Sequence, residues 1–415
     1  MLSYADALTY LTGVSAVSAL SLLRHRNQSK VPIHECANAN FRDISHGPLV
    51  TSTGVLTPFE VRTHGVGFLL RFPPTDRHDM IKPFVDQPIV FSVFEEYKDW
   101  GAALGISSAG QLNDKIERGT ISEFIRVAEA LHNKKIALVS DGIRESARRA
   151  CLVLIAGPSS SGKTTFTKKL SIQLRVLGYQ PAIISTDDYF LSRADTPRDA
   201  TGEYDFESID AIDRQLLNRN LIELFETGRC ELPGYDFKAG RRRKEVMLLK
   251  LGPRGIVLIE GIHGLNPLLT AEIAEDQTFR IYISALTQLN LDDHNRIPTT
   301  DVRLIRRMVR DNQFCGYSAR ETIGRWATVR RGENRNIFPY ERNAEVAFNS
   351  SLDYELPVLK SFAEPLLQRI KPHDLLYNEA VRLARFLRNF VPISANHVPD
   401  DSILREFIGG SSFQY

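Results

Sequence analysis

The chain has 415 residues, too many for one ordinary hydrophobic core, so two or more domains are expected. A quarter of the residues are charged, 43% are hydrophobic and the formal net charge is +2. That balance excludes a general attraction to nucleic acid or to membrane surfaces. Cys36, Cys151, Cys230 and Cys315 are scattered without metal-ligand spacing and read as free thiols of a reducing compartment, here the cytoplasm.

In chain order, residues 13–23 are mostly small and apolar and are followed by Arg24, His25 and Arg26. The stretch is too short to span a bilayer and lacks preceding basic residues, so it reads as a helix of a folded domain. Residues 1–94 mix Pro, Gly, aromatics and short apolar runs such as 66–72, the signature of a small α+β region. Residues 95–150 read as a helical connector, with Ile121, Phe124, Ile125, Ala128 and Leu131 on one apolar stripe. From Cys151, strand-like runs (151–156, 182–185, 256–259, 279–283) alternate with helical ones, which predicts an α/β domain with a parallel sheet over 151–395. Ala380, Leu383, Leu387 and Phe390 stripe a helix expected to pack back on that sheet, and residues 396–415 form a C-terminal tail.

The chemistry centres on Gly157-Pro158-Ser159-Ser160-Ser161-Gly162-Lys163-Thr164, a complete phosphate-binding loop. It follows a buried-strand pattern and precedes a helix on which Phe166, Leu170, Leu174 and Leu177 share a face until Gly178. Glycines let backbone N–H groups turn inward around a phosphate, and the helix N-terminus adds its positive dipole end. Lys163 reaches the β- and γ-phosphates and Thr164 can ligate Mg²⁺. A nucleoside triphosphate, ATP with Mg²⁺, is therefore expected on Gly157, Ser159, Ser160, Ser161, Gly162, Lys163, Thr164 and Thr165.

Acids follow two of the strands, Asp187 and Asp188 after residues 182–185 and Glu260 after 256–259, at the strand ends where ligands of open α/β sheets bind. Arg303, Arg306, Arg307 and Arg310 recur at helical spacing, and Arg325, Arg330 and Arg331 follow. Arg306 and Arg310 are the candidates to screen charge on a transferring phosphoryl group, as a lid over the sheet. The run Arg241-Arg242-Arg243-Lys244 reads as a solvated basic stretch. No guanine-reading Asn-Lys-x-Asp follows the loop, and Glu260 is a lone acid followed by Gly261. Those features argue against a GTPase and against a motor-type ATPase, and leave a small-molecule kinase.

Four segments, 157–165, Ser185-Thr186-Asp187-Asp188-Tyr189-Phe190, Tyr204-Asp205-Phe206-Glu207-Ser208-Ile209-Asp210-Ala211 and Pro233-Gly234-Tyr235-Asp236-Phe237, resemble the phosphoribulokinase/uridine kinase family in order and context. Ile259-Glu260-Gly261-Ile262 adds its third-strand motif. Segments 47–54, 112–116, 129–132, 330–333, 336–339 and 402–410 resemble a subgroup in which the kinase follows a threonyl-tRNA synthetase-like region. In that subgroup a TGS domain usually comes first, so residues 1–94 are expected to be a truncated remnant of the synthetase-like part.

The resemblance implies a nucleoside (uridine or cytidine) 5′-kinase with a P-loop NTPase-type fold. It makes Asp187 the general base, places Thr164, Glu260 and Asp187 near Mg²⁺, sets Glu207 on the ribose hydroxyls and puts Tyr235 and Phe237 about the base, with Asp188 also at the substrate. Where uridine kinases often carry a histidine on the pyrimidine edge, this chain has Ala239 or Gly240. Two alternatives stand beside this reading: a kinase of another hydroxyl compound such as a sugar phosphate, and an RNA-associated nucleotide sensor. The expected partner is a nucleoside, with neither membrane nor nucleic acid, and a homo-oligomer is compatible with the sequence.

Overall fold

The computed structural model describes residues 1–414 apart from 27, 37–40, 48, 66, 75–77, 147–150, 199–201, 203 and 238. Val66 and Pro48, within segments singled out above, and residues 147–150 at the end of the expected connector lie outside the described residues. The chain divides into two compact units, one of residues 1–7 and 28–88, the other of residues 8–27 and 89–415. The division thus falls at residue 88, a few residues before the boundary expected at 94.

The first unit is built from antiparallel strand pairs: β1 (Leu2–Ser3) with β2 (Lys30–Val31), β3 (Ile33–Cys36) with β4 (Phe41–Ile44), and β5 (Glu60–His64) with β6 (Gly67–Arg71). The guanidinium groups of Arg62 and Arg71 lie 4.3 and 5.3 Å from the Phe84 ring. The N-terminal residues also carry two helices, α1 (Tyr4–Gly13) and α2 (Val17–Arg24), separated by a break in which Ser15 adopts positive φ.

In the second unit the helical stretch begins at residue 88 and comprises α3 (Pro88–Ala103), α4 (Ala109–Glu117) and α5 (Ile121–Ser146). A capping box, Ser108 with Gln111, starts α4. The α5 stripe is buried at Ile121, Phe124, Ile125 and Ala128 and continues through Ile136, Val139 and Ile143 into the core beside the sheet.

The sheet contains β7 (Leu152–Ala156), β8 (Gln180–Ser185), β13 (Gly255–Glu260), β14 (Thr278–Ser284) and β15 (Val346–Asn349), all parallel in the order β15-β14-β7-β13-β8. Its central strands are near-continuous aliphatic runs because both faces are covered, and β7 and β14 are buried throughout. Between β8 and β13 lie α7 (Arg214–Thr227) and two small antiparallel pairs. These are β9 (Arg229–Leu232) with β12 (Met247–Lys250), and β10 (Tyr235–Asp236) with β11 (Arg241–Arg242). Arg241 and Arg242 are therefore strand residues; Arg242 pairs with Asp213 at 2.8 Å, while Arg241, Arg243 and Lys244 are exposed, as a solvated run would be.

After β7 comes α6 (Lys163–Val176), which ends at Leu177 before the left-handed Gly178. The C-terminal part adds α8 (Thr299–Arg310), α9 (Ala319–Asn336), α10 (Glu355–Leu367) and α11 (Tyr377–Leu387). The stripe of Ala380, Leu383 and Leu387 is buried, but α11 packs on α10, not onto the sheet as its apolar face suggested, and Phe390 lies beyond the helix end. No helix among the described residues is long and apolar enough to cross a membrane.

Candidate active site

The phosphate-binding loop leaves the carboxyl end of β7 and enters α6. Three carbonyl-end features meet there because β13 lies between β7 and β8, with Glu260 in register with Ile155 on one side and Ser185 on the other. The loop geometry depends on its glycines. A Cβ on Gly157 would lie 2.0 Å from the Ile283 carbonyl oxygen, and Gly162, the residue that starts the helix, has φ of 84°. Lys163 Nζ donates to the carbonyls of Gly157 and Pro158 at 3.0 and 3.3 Å, folding its ammonium over the loop. The Thr164 hydroxyl donates to Glu260 Oε1 at 3.2 Å.

Several buried polar atoms of this cradle have no hydrogen-bond partner among the described residues: the hydroxyls of Ser160, Ser161 and Thr186, and Glu260 Oε2. Orphaned donors around a helix N-terminus suit a phosphate chain. A free carboxylate oxygen beside the Thr164 hydroxyl suits a hard divalent cation. The residues fit the triphosphate and magnesium that the motif implies.

Asp187 and Asp188 sit on a single 3₁₀ turn, 186–189, that Ser185 caps by accepting from the Asp187 N–H at 3.2 Å. The two acids have different surroundings. Asp188 accepts from the Tyr235 N–H at 3.3 Å and so anchors the β10 hairpin. Asp187 is exposed to the open cleft but lies deep in the molecule. That loss of bulk solvent raises its carboxyl above the ordinary range, Lys163 pulls it down, and Asp188 adds to the rise. Burial likewise pushes the Glu260 carboxyl up to about 7, reinforced by the neighbouring Glu406. Lys163 is lowered by the same burial while Glu260, Glu406 and Asp187 oppose the shift. Lys163 thus stands among three carboxylates, with Arg310 close enough to act on it as well.

The arginines do not form the lid that their spacing suggested. Arg303 and Arg306 are buried and hold the loop from behind: Arg303 Nε donates to the Ser159 carbonyl at 3.0 Å, and Arg306 Nη1 to the Ser160 carbonyl at 3.3 Å. Their charges are matched by Glu333 and Glu355. Arg306 is therefore a positioning residue and does not face the transferring group. Arg307 donates to the Ser159 hydroxyl at 2.7 Å. Arg310 pairs with Asp311 and is near enough to Lys163 and Asp187 to influence both. Arg325 stacks over Tyr317 at 4.8 Å, away from the loop.

The acceptor side is lined by an aromatic cluster. Phe190 is 5.8 Å from Tyr235, 6.2 Å from Phe237 and 6.1 Å from Phe206, and Tyr235 and Phe237 meet at 5.1 Å. Phe190 and Tyr235 are buried, and Phe237, 59% exposed and edge-on to both, is the ring of this cluster most open to a flat ligand. Next to it, burial pushes the Glu207 carboxyl up to about 7, with Arg307 acting against the rise. Glu207 is backed by α9: a Cβ on Gly332 would lie 2.5 Å from Glu207 Cβ. Gly332→Ala is accordingly expected to push Glu207 out of place. It should raise the KM for the acceptor severalfold and leave the affinity for ATP within a factor of two or so, since the atoms nearest the added methyl are all of Glu207. Steady-state kinetics with each substrate varied check this.

Sequence reasoning missed Glu333, which accepts from the Ser159 N–H at 3.0 Å, and Glu406, which accepts from the Thr165 N–H and hydroxyl at 2.9 and 2.7 Å. Both fall in segments recognised above, Arg330-Arg331-Gly332-Glu333 and 402–410. Their distance along the chain from the loop concealed the contact.

Residues 152–356 match the family model described as Phosphoribulokinase / Uridine kinase family. A uridine kinase of Clostridium botulinum (strain Okra / Type B1) is 28% identical over 200 residues, 48% of this chain and 87% of that protein. A uridine kinase of Lactobacillus johnsonii is 29% identical over 200 residues, 48% of this chain and 86% of that protein. A solved structure described as a possible uridine kinase from Bacillus stearothermophilus aligns with 48% of this chain and 89% of that chain at 21% identity, with a TM-score of 0.32. With the loop, the strand-end acids and the parallel sheet arranged as above, residues 152–356 are a kinase domain of the phosphoribulokinase/uridine kinase family.

Proposed function

We propose that the protein is an ATP- and Mg²⁺-dependent nucleoside 5′-kinase with uridine or cytidine as acceptor. The observation that carries this reading is the exposed Phe237 ring, seated on buried Phe190 and Tyr235, together with Glu207, which follows Phe206 of the same cluster and is close enough to Lys163 and Asp187 to feel their charges. An exposed ring is suited to a base, and a nearby carboxylate to a pair of ribose hydroxyls. The uridine kinases among its relatives support the same substrate class.

In this reading the loop N–H groups and Lys163 hold the phosphate chain and Arg310 screens it from the other side. Asp187 accepts the 5′-hydroxyl proton as that oxygen attacks the γ-phosphorus and the bond to the β-bridging oxygen breaks. Thr164, Glu260 and Asp187 would hold Mg²⁺, which when bound neutralises charge on the phosphates. Four free cysteines agree with a cytoplasmic setting, and residues 1–94 are read as synthetase-like from the segment 47–54.

The test is a labelled-phosphate transfer screen over nucleosides and sugar phosphates. Transfer to nucleosides supports the reading, and transfer to a sugar phosphate with none to any nucleoside overturns it. Within the nucleosides, Glu207 predicts a preference. Leaving a buried acceptor without its partner costs about 1–3 kcal/mol, so ribonucleosides should exceed 2′-deoxynucleosides about ten-fold or more in kcat/KM. Glu207→Gln should shrink that gap. Because the Glu207 carboxyl is raised to about 7, the nucleoside KM should rise as pH falls through neutrality in the native enzyme and not in the variant.

A further inference from the structure

The C-terminal residues close on the phosphate-binding loop from outside the segment matched by the family model. A Cβ on Gly162 would lie 2.5 Å from Ile403 Cγ2, so Ile403 is seated against the residue that starts α6. Lys169 on α6 donates to the Asp401 carbonyl and carboxylate at 2.9 and 2.7 Å. The Arg306 guanidinium lies 4.9 Å from the centre of the Phe407 ring. Ile403, Leu404 and Phe407 are fully buried, so the backbone of this segment is fixed by packing.

Glu406 lies within it on the short helical turn Arg405–Ile408, only partly buried, and reaches back to Thr165. One of its oxygens accepts both the Thr165 N–H and the Thr165 hydroxyl. Thr165 is in the first turn of a helix that starts at Gly162 with no side-chain cap. First-turn N–H groups of such a helix are the donors an anion takes. Glu406 is therefore an internal anion at that position. It is close enough to Glu260 to help lift that carboxyl, so it stands within the same charged cluster as Lys163. A phosphate group and this carboxylate cannot both hold the Thr165 donors, and two anions there repel.

We propose that Glu406 gates the triphosphate site: its carboxylate competes with a phosphate group of the nucleoside triphosphate for the Thr165 N–H and hydroxyl, and its side chain moves aside when phosphate takes them. The inference rests on the triphosphate-binding reading of the loop. It makes the C-terminal segment a regulator of nucleotide affinity, through one side chain on a fixed backbone.

The experiment is calorimetric titration of the full chain and of Glu406→Gln with ATP in the presence of Mg²⁺. Glutamine keeps the size and one acceptor but removes the charge. Competition predicts that the variant binds ATP about ten-fold more tightly, the equivalent of about 1.4 kcal/mol. Affinity equal to or weaker than that of the native chain overturns the gate and makes Glu406 a plain helix cap, with the triphosphate reading intact. Absence of ATP binding in both proteins removes the triphosphate reading and the gate with it. A crystal structure of the native chain with ATP gives a check that needs no variant. Glu406 beyond hydrogen-bond distance of Thr165 supports the gate, and Glu406 still bonded to the Thr165 N–H overturns it.

Discussion

Replacing Lys163 by alanine should remove phosphoryl transfer, lowering kcat by at least about 10²–10³-fold, the loss that follows deletion of a single preorganised charge-stabilising donor. Lys163 stands among Glu260, Glu406 and Asp187, and its ammonium is held over the loop by the Gly157 and Pro158 carbonyls. Its removal leaves three carboxylates facing the phosphate chain, so ATP affinity should fall as well. The sheet and α6 do not depend on it, because the α6 core face is Phe166, Leu170 and Leu174. Thermal melting should therefore stay within a few degrees of the native chain. Near-native turnover in a folded Lys163→Ala variant would take the loop out of the mechanism.

Asp187→Asn should act on the chemical step, reducing kcat by about 10²–10⁴ with a much smaller change in ATP affinity. Asparagine preserves the size and the 3₁₀ turn that Ser185 caps, but it cannot take a proton. The pH profile separates this role from a structural one. The Asp187 carboxyl is raised by burial, so the protonated, inactive form gains as pH falls; kcat of the native enzyme should decline on the acid side above the ordinary carboxylate range. The residual activity of the variant should lack that limb. A loss confined to the KM for ATP would instead leave Asp187 a ligand of the cation only and pass the role of base to Asp188. The structure disfavours Asp188 for that role, since it already holds the Tyr235 N–H.

The parts of the fold read correctly from sequence were those with a local signal. Three of the five sheet strands hold aliphatic runs, a fourth, β14, mixes Phe279, Ile281, Tyr282 and Ile283 around Arg280, and the loop between β7 and α6 has a fixed spacing. The fifth, β15, is only Val346-Ala347-Phe348-Asn349, too short for periodicity to distinguish it from loop. Charge was harder to read. Arg303 and Arg306 share the spacing of Arg307 and Arg310, and only the structure shows that the first two are buried against Glu333 and Glu355. Glu333 and Glu406 reach the loop through contacts 174 and 241 residues apart in sequence, which no local pattern can reveal.

Arg303 and Arg306 have a mechanical consequence. They grip the outer carbonyls of Ser159 and Ser160, so α8 acts as a splint across the phosphate-binding loop. A splinted loop meets its ligand already shaped, and the entropy of ordering it is lost during folding instead of at each turnover. The same rigidity couples distant positions: a change on the far side of α8, or at Glu355 where α10 begins, shifts the splint and with it the curvature of the loop. Nucleotide affinity in this kinase is therefore an index of how α8 and α10 pack, and substitutions that never approach the site should appear first as altered ATP binding.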